Sequence, residues 1–336
     1  MKILVYSPLF YPSIGGVESV TEMLAGEWVQ LGAKVKLISQ TPDPAQKTFP
    51  FEIFRQPSAR EQLKLMQWCD IYLQSCISLK GLWLEFLQPK PLACIHHTWY
   101  NRPDGSIAIA DRLKLWMTRF ATNISVSEAI ASHLPVSSTV IHNPYRDDIF
   151  REIPEIPREK ELVFVGRLVS DKGVDLLLDS LWDLQQKGLF PQLTIIGEGA
   201  DKDVLQRQAK QLQIDSQVRF VGVYSPSEVA KTLNAHQILV IPSRWQEPFG
   251  IVALEGIACG CAVIGSQGGG LQNAIADCGE TFPNGDRQAL TQILAEFLTN
   301  PDKIAKYRRN AKPHLQRHQK NVVAQRYLQR LEAVLL

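Results

Sequence analysis

Short apolar runs alternate with amphipathic helical stretches along this chain, and the alternation occurs twice. The first series opens with an apolar run at Ile3–Tyr6, continues with apolar residues at helical spacing from Val17 to Leu31, and returns to an apolar run at Lys34–Ser39. A strand, a helix and a second strand in this order form a right-handed βαβ unit and require a parallel sheet. The pattern therefore predicts an α/β fold.

The same rhythm predicts further strands in both halves of the chain. In the first half they are Phe51–Phe54, Ile71–Leu73, Leu92–Ile95, Ile124–Val126 and Val140–Ile141. In the second half they are Leu162–Val165, Leu193–Ile196, Val218–Val221, Ile238–Ile241 and Ala262–Ile264, with a helix at Val174–Leu184. Two doubly wound, Rossmann-like domains of roughly 150 residues each fit this arrangement.

A segment rich in proline and charge, Glu152–Lys160, separates the two series and predicts a linker near residues 145–160. We therefore predict an N-terminal domain over residues 1–150 and a second domain over residues 151–315. Residues 301–336 carry nine Lys or Arg and two acidic residues, although the whole chain has a formal charge of only +2. The overall charge gives no reason to expect a nucleic-acid partner.

The composition argues against a disordered, collagen-like or coiled-coil protein. Of 336 residues, 45% are hydrophobic and 21% are charged, as in a globular protein. The longest apolar runs are far shorter than the ~20 residues that cross a bilayer. The cysteines lack the paired spacing of a zinc site, and we interpret them as reduced core residues of a cytoplasmic protein. They are Cys69, Cys76, Cys94, Cys259, Cys261 and Cys278.

Glycines and cations follow the first predicted strand of each half. Gly15 and Gly16 precede the first helix, where a ligand can approach the backbone and the helix N-terminus attracts an anion. A tight turn without a ligand is an equally good interpretation. Gly166, Arg167 and Lys172 occupy the corresponding place in the second half. Two cations at the carboxyl edge of a parallel sheet can hold two phosphates, and solvated surface cations are the alternative.

The most specific segment, Glu247–Glu255, reads EPFGIVALE. Glu247 is predicted in the loop above a strand end, and Glu255 about two turns into the following helix. Gly250 and Ile251 would present backbone N–H groups at the start of that helix. The segment thus combines acceptors for hydroxyl groups with donors for a phosphate.

Together these motifs resemble the retaining family 4 glycosyltransferases, which have the GT-B fold. The resemblance covers nearly the whole chain and is densest at residues 162–270. It is carried by GGVE at 15–18, SVSE at 125–128, Asn143-Pro144, FVGRLVSDKG at 164–173, IIGEG at 195–199, VRFVG at 218–222, the Glu247–Glu255 segment and Gly269-Gly270.

The resemblance implies a nucleotide-sugar donor held between two Rossmann-like domains. Arg167 and Lys172 would neutralise its diphosphate. Glu247 would accept a hydrogen bond from the donor sugar, and Glu255 would accept from the ribose. The donor-binding residues expected from the resemblance are Gly16, Gly166, Arg167, Lys172, Val223, Glu247, Phe249, Gly250, Ile251, Val252 and Glu255.

In this family a histidine at the end of the strand Leu92–Ile95 contacts the donor sugar and the reacting centre. His96 and His97 both fit that place; the Thr98-Trp99 that follows favours His96, and a purely structural role for both is the alternative. The expected catalytic set is then His96, Arg167, Lys172 and Glu247. Residues 316–336 are expected to form a helix that crosses back to the N-terminal domain.

The implied reaction is a retaining transfer of a sugar from a UDP- or GDP-sugar to a saccharide or lipid-linked acceptor, in glycan, polysaccharide or glycolipid synthesis. No cofactor and no metal are expected, since Asp201 and Asp203 are better interpreted as the start of a helix than as a metal site. The alternatives are a nucleotide-sugar epimerase, a phosphorylase, or a nucleotide-sugar-binding protein without transferase activity. The family often has Gly-Gly-x-Pro-Glu where this chain has GGLQN at 269–273.

One segment raises the question of a membrane. Its cations alternate with apolar residues: Arg112, Leu113, Lys114, Leu115, Trp116, Met117, Arg119 and Phe120. We favour a core helix with cations that point to solvent, because apolar residues at helical spacing are usually buried. A basic helix in the bilayer interface, and hence a peripheral contact with the cytoplasmic membrane face, is the alternative.

Overall fold

The computed structural model describes residues 1–13, 15–43, 47–101 and 105–335. It divides into two compact units. The first unit comprises residues 1–144 together with the C-terminal residues from His318, and the second comprises Tyr145–Arg317. In each unit the paired strands are all parallel and helices lie in the connections between them, so both units are Rossmann-like as predicted.

The sheet of the first unit has the strand order β3-β2-β1-β4-β5-β6-β7. Its strands are β1 (Lys2–Tyr6), β2 (Lys34–Ser39), β3 (Glu52–Arg55), β4 (Ile71–Ser75), β5 (Leu92–His96), β6 (Thr122–Ser125) and β7 (Thr139–Val140). The helices between them are α1 (Gly16–Gln30), α2 (Ala59–Trp68), α3 (Leu79–Leu87), α4 (Ile109–Met117) and α5 (Glu128–His133). The strand order reverses direction between β1 and β4.

The sheet of the second unit has the order β10-β9-β8-β11-β12-β13 and reverses between β8 and β11. Its strands are β8 (Lys160–Val165), β9 (Leu193–Ile196), β10 (Val218–Gly222), β11 (His236–Ile241), β12 (Ala262–Ser266) and β13 (Gly279–Phe282). Its helices are α6 (Val174–Gln186), α7 (Lys202–Gln211), α8 (Pro226–Asn234), α9 (Ile251–Ala258), α10 (Leu271–Ile275), α11 (Arg287–Thr299), α12 (Pro301–Arg309) and α13 (Ala311–Gln316).

Every strand predicted from the sequence is present, with ends that differ by at most two residues. The central strands are buried on both faces, as Leu162, Val163 and Phe164 of β8 illustrate, so they appear in the sequence as continuous apolar runs. The edge strand β13 escaped prediction because it reads Gly-Glu-Thr-Phe and buries only Phe282. A short, half-polar strand lacks the signal that apolar runs provide.

The predicted linker near residues 145–160 is instead a folded part of the second unit. Asn234 accepts a hydrogen bond from Ile153 N at 2.8 Å and donates to Arg151 O at 2.9 Å. The Arg158 guanidinium donates to the carbonyls of His236 at 2.7 Å and Cys259 at 2.8 Å. These bonds satisfy backbone groups that a free linker would leave to water, which is why a segment without regular structure is fixed here.

The C-terminal helix α14 (Lys320–Leu335) packs against α1 within the first unit. Trp28 of α1 donates from Nε1 to Ala324 O at 3.2 Å, and its ring lies 6.1 Å from that of Tyr327. The buried residues of α14 are Val323, Ala324, Tyr327, Leu328 and Leu331, whereas Leu335 near its end is 41% exposed. Leu336, the last residue of the predicted helix, lies outside the described residues.

Candidate active site

Two of the residues predicted to contact the donor, one its phosphate and the other its sugar, follow adjacent strands at the carboxyl edge of the second sheet. Lys172 follows β8, and Glu247 follows β11, which pairs with β8 in parallel. These two strands flank the point where the strand order reverses, and open α/β sheets bind ligands in the crevice at such a point. The Lys172 ammonium donates to Glu247 Oε1 at 2.6 Å.

Arg167 and Lys172 have different surroundings. Arg167 is exposed at the end of β8 and has no hydrogen-bond or ion-pair partner among the described residues. Lys172 ends the short 3₁₀ turn Ser170–Lys172, which Gly173 terminates in a left-handed conformation with φ 65°. A Cβ atom on Gly173 would lie 2.1 Å from Pro242 O, so only glycine lets this turn approach β11 so closely.

The Glu247 carboxylate is held by two side chains. Ser243 Oγ donates to its Oε1 at 2.7 Å, beside the bond from Lys172 to the same oxygen. The Glu247 backbone is held as well, because Gly270 N donates to Glu247 O at 2.7 Å. Gly269, with φ 61°, passes so close that a Cβ atom there would lie 2.1 Å from Glu247 O. The Gly269-Gly270 pair therefore supports Glu247 although the Pro-Glu pair of the family is absent.

The start of α9 supplies backbone donors. Gly250 is its N-cap and has φ 94°, and a Cβ atom there would meet Leu271 Cδ1 at 2.6 Å. The first N–H groups of a helix lack intrahelical partners, so those of Ile251 and Val252 are available to a ligand. The side chain of Phe249 is buried, so this predicted ligand residue offers only its backbone.

Glu255 lies four residues after the first residue of α9, hence at the start of its second turn and not two turns into the helix. The difference arises because the left-handed Gly250 delays the start of the helix. Burial raises the pKa of the Glu255 carboxyl to about 7, and the charge of Arg146 opposes that rise. A carboxyl with this pKa changes its charge near neutral pH.

The other predicted ligands of the second unit lie at neighbouring strand ends. Val223 follows β10 with its side chain 70% exposed, and Gly222 before it has φ 77°. Gly197 reaches the carbonyl of Gly166 so closely that a Cβ atom would lie 1.8 Å from it. Gly199 similarly approaches Leu168 O. The glycines of the IIGEG motif are thus needed to build the Gly166 loop, a role that the sequence did not assign to them.

In the first unit, Gly15 is the N-cap of α1 and Gly16 is its first residue. The Glu18 carboxylate lies over this helix start: Ser13 Oγ donates to Glu18 Oε1 at 3.2 Å, and a Cβ atom on Gly15 would lie 2.4 Å from Glu18 Oε2. An anionic side chain is favourable at a helix N-terminus. The sequence analysis named Gly16 as a candidate ligand residue but did not predict that the Glu18 carboxylate would lie at the same helix N-terminus.

The two candidate site histidines, His96 and His97, have different surroundings. His96 is buried in β5, with Nδ1 2.6 Å from the Tyr100 hydroxyl and Nε2 2.9 Å from Asn123 Oδ1. Both ring nitrogens are therefore occupied by the protein, and burial lowers the pKa of His96 to about 4. His97 follows the strand, and its Nε2 has no hydrogen-bond partner among the described residues. Burial lowers the pKa of His97 to about 3, so its ring is neutral.

Asp201 and Asp203 open α7, as the sequence indicated. Asp201 is the N-cap residue, but its side chain makes no capping hydrogen bond; Asp203 lies in the first turn, where its charge favours the helix. Within the described residues no group of three or more His, Cys, Asp or Glu could hold a metal ion. All six cysteines are free thiols, and all except Cys76 are buried.

The interpretation of α4 as an ordinary core helix is wrong for three of its five large apolar residues, namely Ile109, Leu113 and Trp116. Met117 is buried, but Ile109 is 86% exposed and Phe120, just beyond the helix, is 63% exposed. Leu113 and Trp116 between them are also exposed, so apolar side chains recur every three or four residues on the outer face. No helix in the described ranges is long and apolar enough to span a membrane.

Two cations, a held carboxylate and a helix N-terminus at the switch point of a parallel sheet are groups that suit a phosphorylated, hydroxyl-bearing ligand. The model of the family "Glycosyl transferases group 1" matches residues 145–314, half of the chain. The chain belongs to this family.

Two relatives and one solved structure illustrate the likeness. Glycogen synthase of Mycobacterium tuberculosis is 34% identical over 157 residues, 46% of this chain and 38% of that protein. Phosphatidyl-myo-inositol mannosyltransferase of Mycobacterium leprae is 28% identical over 243 residues, 70% of this chain and 61% of that protein. The chain thus spans less than two thirds of either relative. Anabaena HepE, solved with UDP-glucose, has a TM-score of 0.80 at 21% identity and covers 99% of this chain and 100% of its own. This likeness confirms the GT-B type of fold.

Proposed function

We propose that this protein transfers a sugar from a nucleoside diphosphate donor to a saccharide or lipid-linked acceptor. The observation that carries the proposal is the juxtaposition of Lys172 with Glu247 at the ends of β8 and β11, with Arg167 exposed on the same edge. Cations suit a diphosphate and a carboxylate suits sugar hydroxyls. Family membership supports the transfer reaction.

The donor is proposed to be a UDP- or GDP-sugar. The HepE structure contains UDP-glucose, and the two relatives named above are called a glycogen synthase and a phosphatidyl-myo-inositol mannosyltransferase. Those names support a polysaccharide or a glycolipid as product. Six free thiols support a reducing, cytoplasmic compartment.

In the proposed reaction the bond between the anomeric carbon and the diphosphate oxygen breaks, and a bond to the acceptor oxygen forms on the same face of the sugar. The acceptor proton passes to the released phosphate oxygen, so the anomeric configuration is retained. Arg167, Lys172 and the N–H groups at the start of α9 stabilise the charge that develops on the leaving diphosphate. Arg167 and Lys172 supply positive charge that a metal would otherwise give, so we propose a metal-independent enzyme.

A panel of nucleoside diphosphates and nucleotide sugars in thermal-shift measurements tests the donor, because a ligand that binds the folded state raises its midpoint. Turnover of the best donor is then measured with and without saccharide acceptors. Acceptor-dependent release of nucleoside diphosphate supports a transferase. Donor conversion without any acceptor would indicate an epimerase, and phosphate-dependent cleavage a phosphorylase. Binding without turnover would leave a binding protein.

A second candidate function, contact with an anionic membrane surface, is favoured by the exposed face of α4. The rings of Trp116 and Phe120 meet edge to face on this face with centroids 5.1 Å apart, and Arg112 and Arg119 beside them are exposed. Aromatic rings and cations on one helix face suit the interface of an anionic bilayer.

Co-sedimentation with phosphatidylglycerol-containing vesicles at low and high salt tests this contact. We expect binding that falls with salt, is lost in Trp116→Ser/Phe120→Ser, and is weakened in Arg112→Glu/Arg119→Glu. Phe190→Ser is the matched control, since Phe190 is an equally exposed ring of the second unit. Absence of binding at low salt would show that α4 meets no membrane.

A further inference from the structure

The Glu247 carboxylate has one occupied oxygen and one open oxygen. Lys172 Nζ and Ser243 Oγ both donate to Oε1, at 2.6 and 2.7 Å. Oε2 has no hydrogen-bond partner in the described ranges. A carboxylate can accept at both oxygens, so Oε2 is the atom left for a ligand.

Ser243 is itself held rigidly. Its side chain is fully buried, and Ser266 Oγ donates to Ser243 O at 2.6 Å. The next two residues, Arg244 and Trp245, donate from their backbone N–H groups to Asp171 O at 2.8 and 3.1 Å. The loop after β11 is thereby tied both to β12 and to the turn that carries Lys172.

We propose that Ser243 is a positioning residue for Glu247: its hydroxyl fixes the carboxylate rotamer so that Oε2, and not Oε1, meets a hydroxyl of the donor sugar. A side chain in the loop after a strand has several rotamers, and Lys172 alone cannot select one, because a flexible ammonium follows the carboxylate as a point charge. The buried Ser243 hydroxyl approaches from a fixed direction. Lys172 keeps two further N–H donors for phosphate oxygens while it holds Oε1.

This inference rests on the proposed role of Glu247 toward the donor sugar. It predicts that removal of the Ser243 hydroxyl lowers the rate of sugar transfer but leaves the affinity for nucleoside diphosphate unchanged. The reason is that neither Arg167 nor Glu255 shares a hydrogen bond with Ser243 among the described residues. A merely structural Ser243 would instead weaken sugar transfer and nucleotide binding together.

The test compares Ser243→Ala with Ser180→Ala, which removes another fully buried serine hydroxyl, one bonded to Leu176 O inside α6. Calorimetry gives the affinities for UDP and UDP-glucose, or GDP and GDP-mannose if the guanosine donor is selected, and steady-state kinetics give kcat and KM. We expect S243A to lower kcat about tenfold, the size of one lost hydrogen bond to a charged group, and to leave nucleoside diphosphate affinity within about twofold. S180A should change neither quantity.

Ser243→Cys keeps the shape of the side chain with a somewhat larger atom but offers only a weak donor, so it should give an intermediate loss of kcat and serves if S243A is poorly folded. Wild-type kcat in both Ser243 variants overturns the inference, as does a parallel fall of kcat and nucleoside diphosphate affinity. A wild-type protein that binds nucleoside diphosphate but shows no preference or turnover for any nucleotide sugar would instead overturn the proposed function itself.

Discussion

Raising the pH from 6 to 8 should tighten the binding of a nucleotide sugar, because Glu255 loses its proton over that interval. Burial raises the pKa of this carboxyl to about 7. If the ionised carboxylate accepts hydrogen bonds from the ribose, a site that is about nine-tenths protonated at pH 6 and about nine-tenths ionised at pH 8 should gain about tenfold in affinity. Binding should release a proton near pH 7.

Calorimetry in two buffers of different ionisation enthalpy measures both the affinity and the proton release. The ligand should be a nucleotide sugar, since the terminal phosphate of a free nucleoside diphosphate titrates in the same range. Glu255→Gln should bind more weakly at pH 8 and lose the pH dependence. A wild-type affinity that is flat between pH 6 and 8, or equal pH dependence in E255Q, would refute the assignment of Glu255 to the ribose.

The same pKa has a consequence for stability. The folded value of about 7 exceeds the ordinary value of 4.5, so the folded state binds more protons than the unfolded state between these pH values. The free energy of unfolding should therefore fall as pH rises through this window, by about 3 kcal/mol for this group. E255Q, which carries no charge, should unfold at a higher temperature than wild type at pH 8 and at a similar temperature at pH 5. A lower midpoint of E255Q at pH 8 would contradict the argument.

Arg167→Ala or Lys172→Ala should lower kcat by about 100-fold, the cost of losing one preorganised contact to the developing charge, with the thermal midpoint retained; wild-type kcat in either variant would exclude the phosphate role. Glu247→Gln should reduce the rate of sugar transfer far more than the affinity for nucleoside diphosphate. Equal losses of both, measured by kinetics and calorimetry, would mean that Glu247 does not contact the donor sugar. His96→Ala should lower the thermal midpoint, because it leaves two buried polar partners unpaired. If His97 is the site histidine, His97→Ala should lower kcat and, as a buried residue, also lower the midpoint, but by less than His96→Ala; the opposite pattern of effects would indicate His96.

The alternation of apolar runs and helical stretches was enough to predict two parallel sheets and the position of nearly every strand. This works because the hydrophobic periodicity of an element is set by its own residues. The residue types that suit phosphate and hydroxyl recognition were also visible, at glycine-containing loops that follow strands. The same reasoning missed β13 and mistook a folded segment of the second unit for a linker. That segment is fixed by hydrogen bonds to residues far away in the chain: Asn234 of α8 donates to Arg151 O, and Arg158 donates to His236 O.

The sequence by itself therefore determined the class of fold and the identity of the residues at the carboxyl edge of each sheet. Only the tertiary structure decided which of them meet. Lys172 and Glu247 are 75 residues apart and share a hydrogen bond because β8 and β11 are neighbours in the sheet. His96 and His97 differ by one position, yet His96 is bonded to Tyr100 and Asn123, whereas Nε2 of His97 has no partner among the described residues. Successive residues of a strand point to opposite faces, and what each face meets depends on elements far away in the chain.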